Sequence, residues 1–252
     1  MDIVIIGTGN TASILGRKLK AAGHHIVQVY GRDAKSASDL AYTLDTESTN
    51  YWSVVDRNAD IYLVAVNDIA IEEVVKELQL PAKTLIHTAA SVSKDILKRS
   101  SKHFGVFYPL QSLNKAIDHL PETPIIIDAS DKETLQELEN LAYSISDQVI
   151  TATEDDRLKL HLAAVFCNNF VNHLYVLIED YCKKENLDFK ILFPLIEETS
   201  TRINNISPKD SQTGPAKRND HETIQKHLKM LSNYPELKKL YEVMTKSIQS
   251  LH

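Results

Sequence analysis

The chain has 252 residues, 43% hydrophobic and 25% charged, a globular composition with room for one large domain or two small ones. Its net charge of -6 excludes the basic field that a nucleic-acid partner requires. Cys167 and Cys182 fall within one helical pattern, which excludes a disulfide between them, and no apolar run approaches the roughly 18 residues of a membrane span.

The predicted elements begin with a β-branched apolar run at 2–6, the pattern of a strand buried on both faces, which stops at Gly7. Residues 10–22 carry Ile14, Leu15, Lys18 and Leu19 at helical spacing and end in Ala-Ala-Gly. A second strand follows at 26–30. The alternation continues with a helix at 35–44, a strand at 60–66, a helix at 69–78 and a strand at 84–87. Further strands are expected at 105–108 and 124–128, then a helix at 132–146 and a short strand at 148–151. Such alternation predicts an α/β fold, a Rossmann-type doubly wound, mostly parallel sheet. From Glu154 the period becomes helical, with helices expected over 158–181, 189–204, 222–231 and 235–249. The predicted organisation is therefore a dinucleotide-binding domain at 1–152 and an all-helical second domain at 153–252. No basic segment followed by an apolar stretch opens the chain, so a cytoplasmic protein without a membrane partner is expected.

Gly7-Thr8-Gly9-Asn10-Thr11-Ala12 matches G-x-G-x-x-A between the first strand and the first helix. The first glycine permits the tight turn, the second lets a pyrophosphate approach the backbone, and Ala12 lets helix pack against strand. Free amides at the helix start would hold the phosphates. NAD sites place an acid at the end of the second strand, whereas this chain reads Gly31-Arg32-Asp33. Arg32 either pairs with an adenosine 2′-phosphate, favouring NADP, or is a solvated loop arginine. Asp33 could serve as the missing acid in another register. The ends of later strands, with Val66, Asn67, Ala89 and Ser91, lie where ligands bind in open α/β sheets, or are ordinary turns.

Successive rotations of about 100° bring His161, Asn168, Asn172 and Glu179 onto one face of an apolar helix. Buried carboxamides need partners, supplied either by neighbouring backbone or by a substrate in a wet cleft. His161 is a candidate to move the proton that accompanies hydride transfer, because an imidazole titrates near neutrality, or it is hydrogen-bonded in a domain interface. Gln111 and Ser112 after a strand, and Gln212 and Thr213 in a long turn-rich loop, present amides and hydroxyls suited to orienting a carbonyl or carboxylate. Arg218 is a candidate anion partner, and Asp220 a helix cap. The scattered histidines predict no metal site.

The stretches GTGNTA, YGRD, YPLQSL, LHLAAVFCNNFVNHLY and QTGPAKRND together resemble a bacterial family of Rossmann-like proteins with a C-terminal helical domain of unknown function. Its members are often labelled NADP oxidoreductases of the deazaflavin-dependent type and are similar in architecture to pyrroline-5-carboxylate reductase. The resemblance implies NADP, with NAD or a deazaflavin as alternatives, and hydride transfer to a small carbonyl or imine. It also implies a homodimer through the helical domain. The lysine that supplies the proton in related hydroxyacid dehydrogenases, four residues before an asparagine, is replaced here by Ala164, Val165 or Asn168. That leaves His161 as the substitute and keeps open a second function, a catalytically inactive NADP-binding sensor or assembly protein.

Overall fold

A computed structural model of the protein describes residues 1–251. The chain divides into two compact units, the first from Met1 to Asn169 and the second from Phe170 onward.

The first unit is built on an eight-stranded sheet. Its strands are β1 (Asp2–Ile6), β2 (His25–Tyr30), β3 (Glu47–Thr49), β4 (Ile61–Val64), β5 (Thr84–His87), β6 (His103–Pro109), β7 (Ile125–Ala129) and β8 (Val149–Thr151), in the order β3-β2-β1-β4-β5-β6-β7-β8. Its helices are α1 (Asn10–Ala21), α2 (Ala34–Leu44), α3 (Ile71–Glu77), α4 (Lys132–Tyr143) and α5 (Glu154–Ala164). Strand alternation divides the core in two. Ile3 and Ile5 of β1 pack on one face with Leu15, Leu19, Leu40 and Leu44, while Val4 and Ile6 pack on the other with Tyr62, Ile71 and Val75.

Every neighbouring pair is parallel except β6 and β7. A parallel return would need a long crossover, usually a helix, and residues 110–124 provide none, so the chain comes back antiparallel. The three-residue β3 carries no alternating apolar pattern, with Thr49 alone buried, and sequence periodicity does not find it.

Register sets the position of the site. Ile6 aligns with Tyr30 on one side and Val64 on the other, Val64 with His87, and His87 with Val106. The carboxyl ends of β2, β1, β4 and β5 therefore lie in one row, and β6 runs on past it through Tyr108. The order reverses at β1, between β2 and β4, and open sheets bind ligands at such a switch point.

After α5 the backbone passes through a π-helical turn (Val165–Phe170) into α6 (Val171–Lys184), followed by α7 (Phe193–Arg202), α8 (Pro208–Ser211), α9 (His221–Met230) and α10 (Pro235–Leu251). Although no unbroken apolar run of that length occurs in the sequence, the stretch Glu154–Lys184 is long enough and on average apolar enough to cross a membrane by length and composition alone. In the second unit the Tyr234 hydroxyl donates to Glu185 (2.5 Å), and Asp220 caps α9 by accepting from the amide of Thr223.

Candidate functional site

Gly7 holds a φ of +125° and donates its amide to the Tyr30 carbonyl, which turns the chain sharply from β1 into α1. The helix that follows has Gly9 as its N-cap, with no side-chain cap bond and no acid in its first turn. Asp33, Asp131, Thr153 and Asp220 close α2, α4, α5 and α9 with their side chains, whereas α3 and α7, like α1, have no such bond. The first amides of α1 are thus left for an outside anion, where the helix dipole also favours negative charge. Among the described residues nothing lies within 4 Å of a Cβ built on Gly9, so that face of the turn is open.

The turn borders a cavity of about 380 Å³ lined by Gly7, Thr8, Gly9, Gly31, Arg32, Val66 and Asn67, together with Tyr30, Trp52 and Val74. Tyr30 and Trp52 stack with ring centroids 3.6 Å apart. Sequence reasoning missed Trp52, because the stretch between β2 and β4 carries no motif that marks it.

Asp33 also borders the cavity, and its Oδ1 caps the start of α2, accepting from the Ser36 amide at 2.8 Å and the Ser36 hydroxyl at 2.6 Å. The Ser36 hydroxyl and amide hold it below the ordinary aspartate pKa, and it remains an anion. Its other oxygen, Oδ2, is not part of that cap, and Asp33 keeps its place in the cavity lining beside Arg32. Arg32 is exposed at the rim, beside a nucleotide's expected adenosine end.

At the carboxyl end of β5, His87 is fully buried. Its Nδ1 accepts from the Ala89 amide (3.2 Å) and its Nε2 lies 3.3 Å from the Ser93 carbonyl. Burial pulls its pKa down to about 4, which keeps it neutral. Ala89 is buried and shapes this turn, while Ser91 is exposed and donates to Asp68 at 2.6 Å.

The turn is locked from outside by Arg157, the largest fully buried side chain. Its Nε donates to the Ala90 carbonyl and its Nη2 to the Val92 carbonyl, each at 2.9 Å. Its Nη1 is 3.9 Å from Asp128, which also pairs with Lys94 at 2.5 Å. One helical turn further along α5, the Nδ1 of His161 lies 2.9 Å from the hydroxyl of Tyr108, near the end of β6. Tyr108 opens the YPLQSL stretch, where the sequence assigns it no role, and Arg157 is not marked in the sequence at all. An arginine after Glu154-Asp155-Asp156 reads as part of a solvated charged start.

The remaining predicted residues are dispersed. Asn168 sits in the π-helical turn at the end of the first unit and Asn172 in the second unit, and both are exposed in the chain. The shared face was expected of an unbroken α-helix, and the π turn at Val165–Phe170 interrupts it. The carboxamides of Asn168 and Asn172 are exposed in the chain and not buried in need of partners, which corrects that expectation. Gln111 donates to the Glu122 carbonyl and accepts from the Ser112 amide, knitting its own loop. Asn10 accepts from the Lys115 amide of that loop at 3.2 Å. In the second unit Gln212 donates to the Thr213 carbonyl, Arg218 is exposed, and Asp220 serves as the α9 cap. Among the described residues no group of three His, Cys, Asp or Glu side chains is placed to hold a metal ion.

A glycine turn over an open helix start, at the switch point of a mostly parallel sheet, defines a dinucleotide-binding protein of the nicotinamide-dependent oxidoreductase class. Residues 2–91 match the family described as "NADP oxidoreductase coenzyme F420-dependent", and residues 123–248 match "Domain of unknown function (DUF2520)". A crystal structure described as a "putative NADP oxidoreductase" from Bacteroides fragilis is 38% identical, with a TM-score of 0.92 over 99% of this chain and 98% of that one. A protein from Thermotoga maritima is 21% identical with a TM-score of 0.81, again over 99% and 98% of the two chains. The 1-pyrroline-5-carboxylate reductase of Streptococcus pyogenes, 15% identical with a TM-score of 0.68 over 99% and 98%, shares the fold. No curated protein matches the chain. The chain belongs to the family of Rossmann-type NADP oxidoreductase-like proteins whose C-terminal half, from the last two strands of the sheet through the helices, is the DUF2520 domain.

Proposed function

We propose that the protein is a cytoplasmic NADP-dependent oxidoreductase that exchanges a hydride between the nicotinamide and a small carbonyl or imine. The observation that carries this reading is the uncapped start of α1 beside a cavity whose rim bears Arg32 and whose one nearby aspartate, Asp33, caps α2 through Oδ1. The residues fit the cofactor: the turn at Gly7 to Ala12 would receive the diphosphate, and Arg32 the 2′-phosphate through its planar fork. Bound there, the nicotinamide supplies the hydride. The chain supplies a turn of small residues at Ala89 and Ala90, locked by Arg157, and the imidazole of His161 to move the accompanying proton. The description of the Bacteroides relative supports NADP, and the name of the Streptococcus enzyme, which shares the fold, suggests an imine as acceptor.

The chain's one tryptophan, Trp52, borders the cavity and provides a direct readout. Titration with NADPH is expected to quench its fluorescence at micromolar concentrations, with NADH and a reduced deazaflavin far weaker. Consumption of NADPH with a cyclic imine or ketone panel is then expected, and is lost in His161→Ala. Tight binding without turnover would favour the sensor reading, and absence of binding to all three cofactors would overturn both.

We also propose that two copies associate through the helical half. From residue 170 onward, thirteen large apolar side chains are exposed against four buried apolar residues, Cys182, Ala216, Ile224 and Leu231. Half-exposed side chains in that number present on the order of 1,000 Å² of apolar area, above the roughly 800 Å² per partner of a standard interface. Sedimentation is expected to give a dimer that Leu195→Asp weakens, whereas a stable monomer at micromolar concentration would remove the proposal.

A further inference from the structure

The pairing of Tyr108 with His161 joins the carboxyl edge of the sheet to α5 at the residue proposed to move a proton. The phenol oxygen lies 2.9 Å from Nδ1, and the two rings meet edge to face at 76° with centroids 5.9 Å apart. Both partners are held from behind. Tyr108 belongs to β6, whose paired residues run to Pro109, and its position is fixed by the ladder. His161 stands four residues after Arg157, on the same face of α5, and Arg157 ties that helix to the Ala90 and Val92 carbonyls. The charged groups acting on the phenol are Arg157 of α5 and Asp68 after β4.

We infer that Tyr108 is a positioning residue that commits Nδ1 of His161 in both charge states, so that Nε2 is the atom that exchanges the proton with substrate. When the imidazole is neutral, the phenol O–H donates to Nδ1 and the ring carries its proton on Nε2. When it is protonated, the phenol turns and its oxygen accepts from Nδ1–H. As hydride reaches the carbonyl carbon or the imine carbon, the Nε2–H bond breaks and its proton goes to the substrate oxygen or nitrogen. The ring electron pair stays on Nε2. The ring is left transiently as the Nδ1–H tautomer, donating to the Tyr108 oxygen, until solvent returns a proton to Nε2 and restores the imidazolium; the Nε2–H tautomer is the neutral form at rest. The phenol itself is a poor terminal donor, since burial pushes its pKa above the ordinary tyrosine value. This inference rests on the hydride-transfer reading for its purpose but on geometry alone for the pairing.

The test uses the whole protein labelled with ¹⁵N-histidine, in the presence of NADP⁺, as wild type and as Tyr108→Phe, with His161→Gln to assign the signal. Long-range ¹H–¹⁵N correlation above pH 8 is expected to show His161 as a single tautomer protonated at Nε2, which becomes a mixture in Tyr108→Phe. With NADPH and an accepted imine or ketone, Tyr108→Phe is expected to lower kcat about tenfold, leave KM for NADPH unchanged and displace the acid-dependent limb of the pH profile. A His161 signal indifferent to Tyr108→Phe overturns the pairing. Unchanged kcat and pH profile in Tyr108→Phe, alongside loss of turnover in His161→Gln, overturns the positioning role. A wild type that binds NADPH, shows the single tautomer and reduces nothing instead sinks the hydride-transfer reading, and the proton-delivery role with it.

Discussion

Gly7 stands against the Ala65 carbonyl so closely that a Cβ on Gly7 would lie 2.1 Å from that oxygen, whereas a Cβ on Gly9 meets nothing. The first glycine therefore belongs to the fold and the second to the ligand. Gly7→Ala combines a backbone clash with a φ of +125°, and is expected to cost several kcal/mol or to prevent folding. Gly9→Ala should leave the melting temperature within a few degrees of wild type while weakening NADPH binding by about tenfold or more. A Gly9→Ala protein that binds NADPH normally would show that the diphosphate does not cross this turn.

Arg32 and Asp33 both stand at the cavity rim, and with one oxygen of Asp33 held by Ser36 the proposed reading gives the cation the task of telling the two nicotinamide cofactors apart. Arg32→Ala is expected to reduce NADPH affinity by about tenfold, a little over 1 kcal/mol, and to leave NADH affinity unchanged. Equal losses for both, measured by calorimetry, would assign Arg32 to some part of the nucleotide other than the 2′-phosphate.

His87 makes stability depend on pH in a defined direction. Its folded pKa is about 4 against an ordinary value of 6.5, so between these values the unfolded chain binds a proton that the folded chain refuses. The protein should be unaffected by this group above pH 6.5, lose stability as pH falls toward 4, and lose no more from it below that. The total is roughly 3 kcal/mol for a shift of this size. Chemical denaturation of wild type and His87→Asn from pH 4 to 8 should show the slope in the first and a flatter line in the second. Parallel curves would exclude His87 as the cause.

Arg157 is a buried charge whose bonds go to two backbone carbonyls and whose carboxylate neighbour, Asp128, is shared with Lys94. Arg157→Met keeps the volume but leaves Ala90 and Val92 without their donors, and is expected to cost about 3 to 5 kcal/mol. Because those carbonyls belong to the turn after β5, the variant should also bind NADPH less tightly. A loss under 1 kcal/mol would mean that the turn holds itself.

How much of the site could be read beforehand differs by residue. Gly7, Gly9 and Arg32 were legible because each is placed by a strand end and a short motif. Asn168 and Asn172 were legible as polar residues on an apolar helix, yet the inference that they share a face with His161 assumed an unbroken α-helix. The π turn at Val165–Phe170 breaks that assumption, and no local composition marks it. Trp52 reached the cavity only through stacking on Tyr30.

What this sequence determined by itself was the α/β alternation, the glycine turn and the helical second half. Those follow from steric limits acting over a few neighbouring residues: β-branched runs favour strands, and a φ of +125° as at Gly7 favours glycine. What only the tertiary structure decided was the reversal of β7, the burial of Arg157 and the meeting of Tyr108 with His161. Their bonds join residues 53, 65 and 67 positions apart. Pairing at such separations depends on which strand ends the sheet register brings together, and on how little water is left around the groups once they meet.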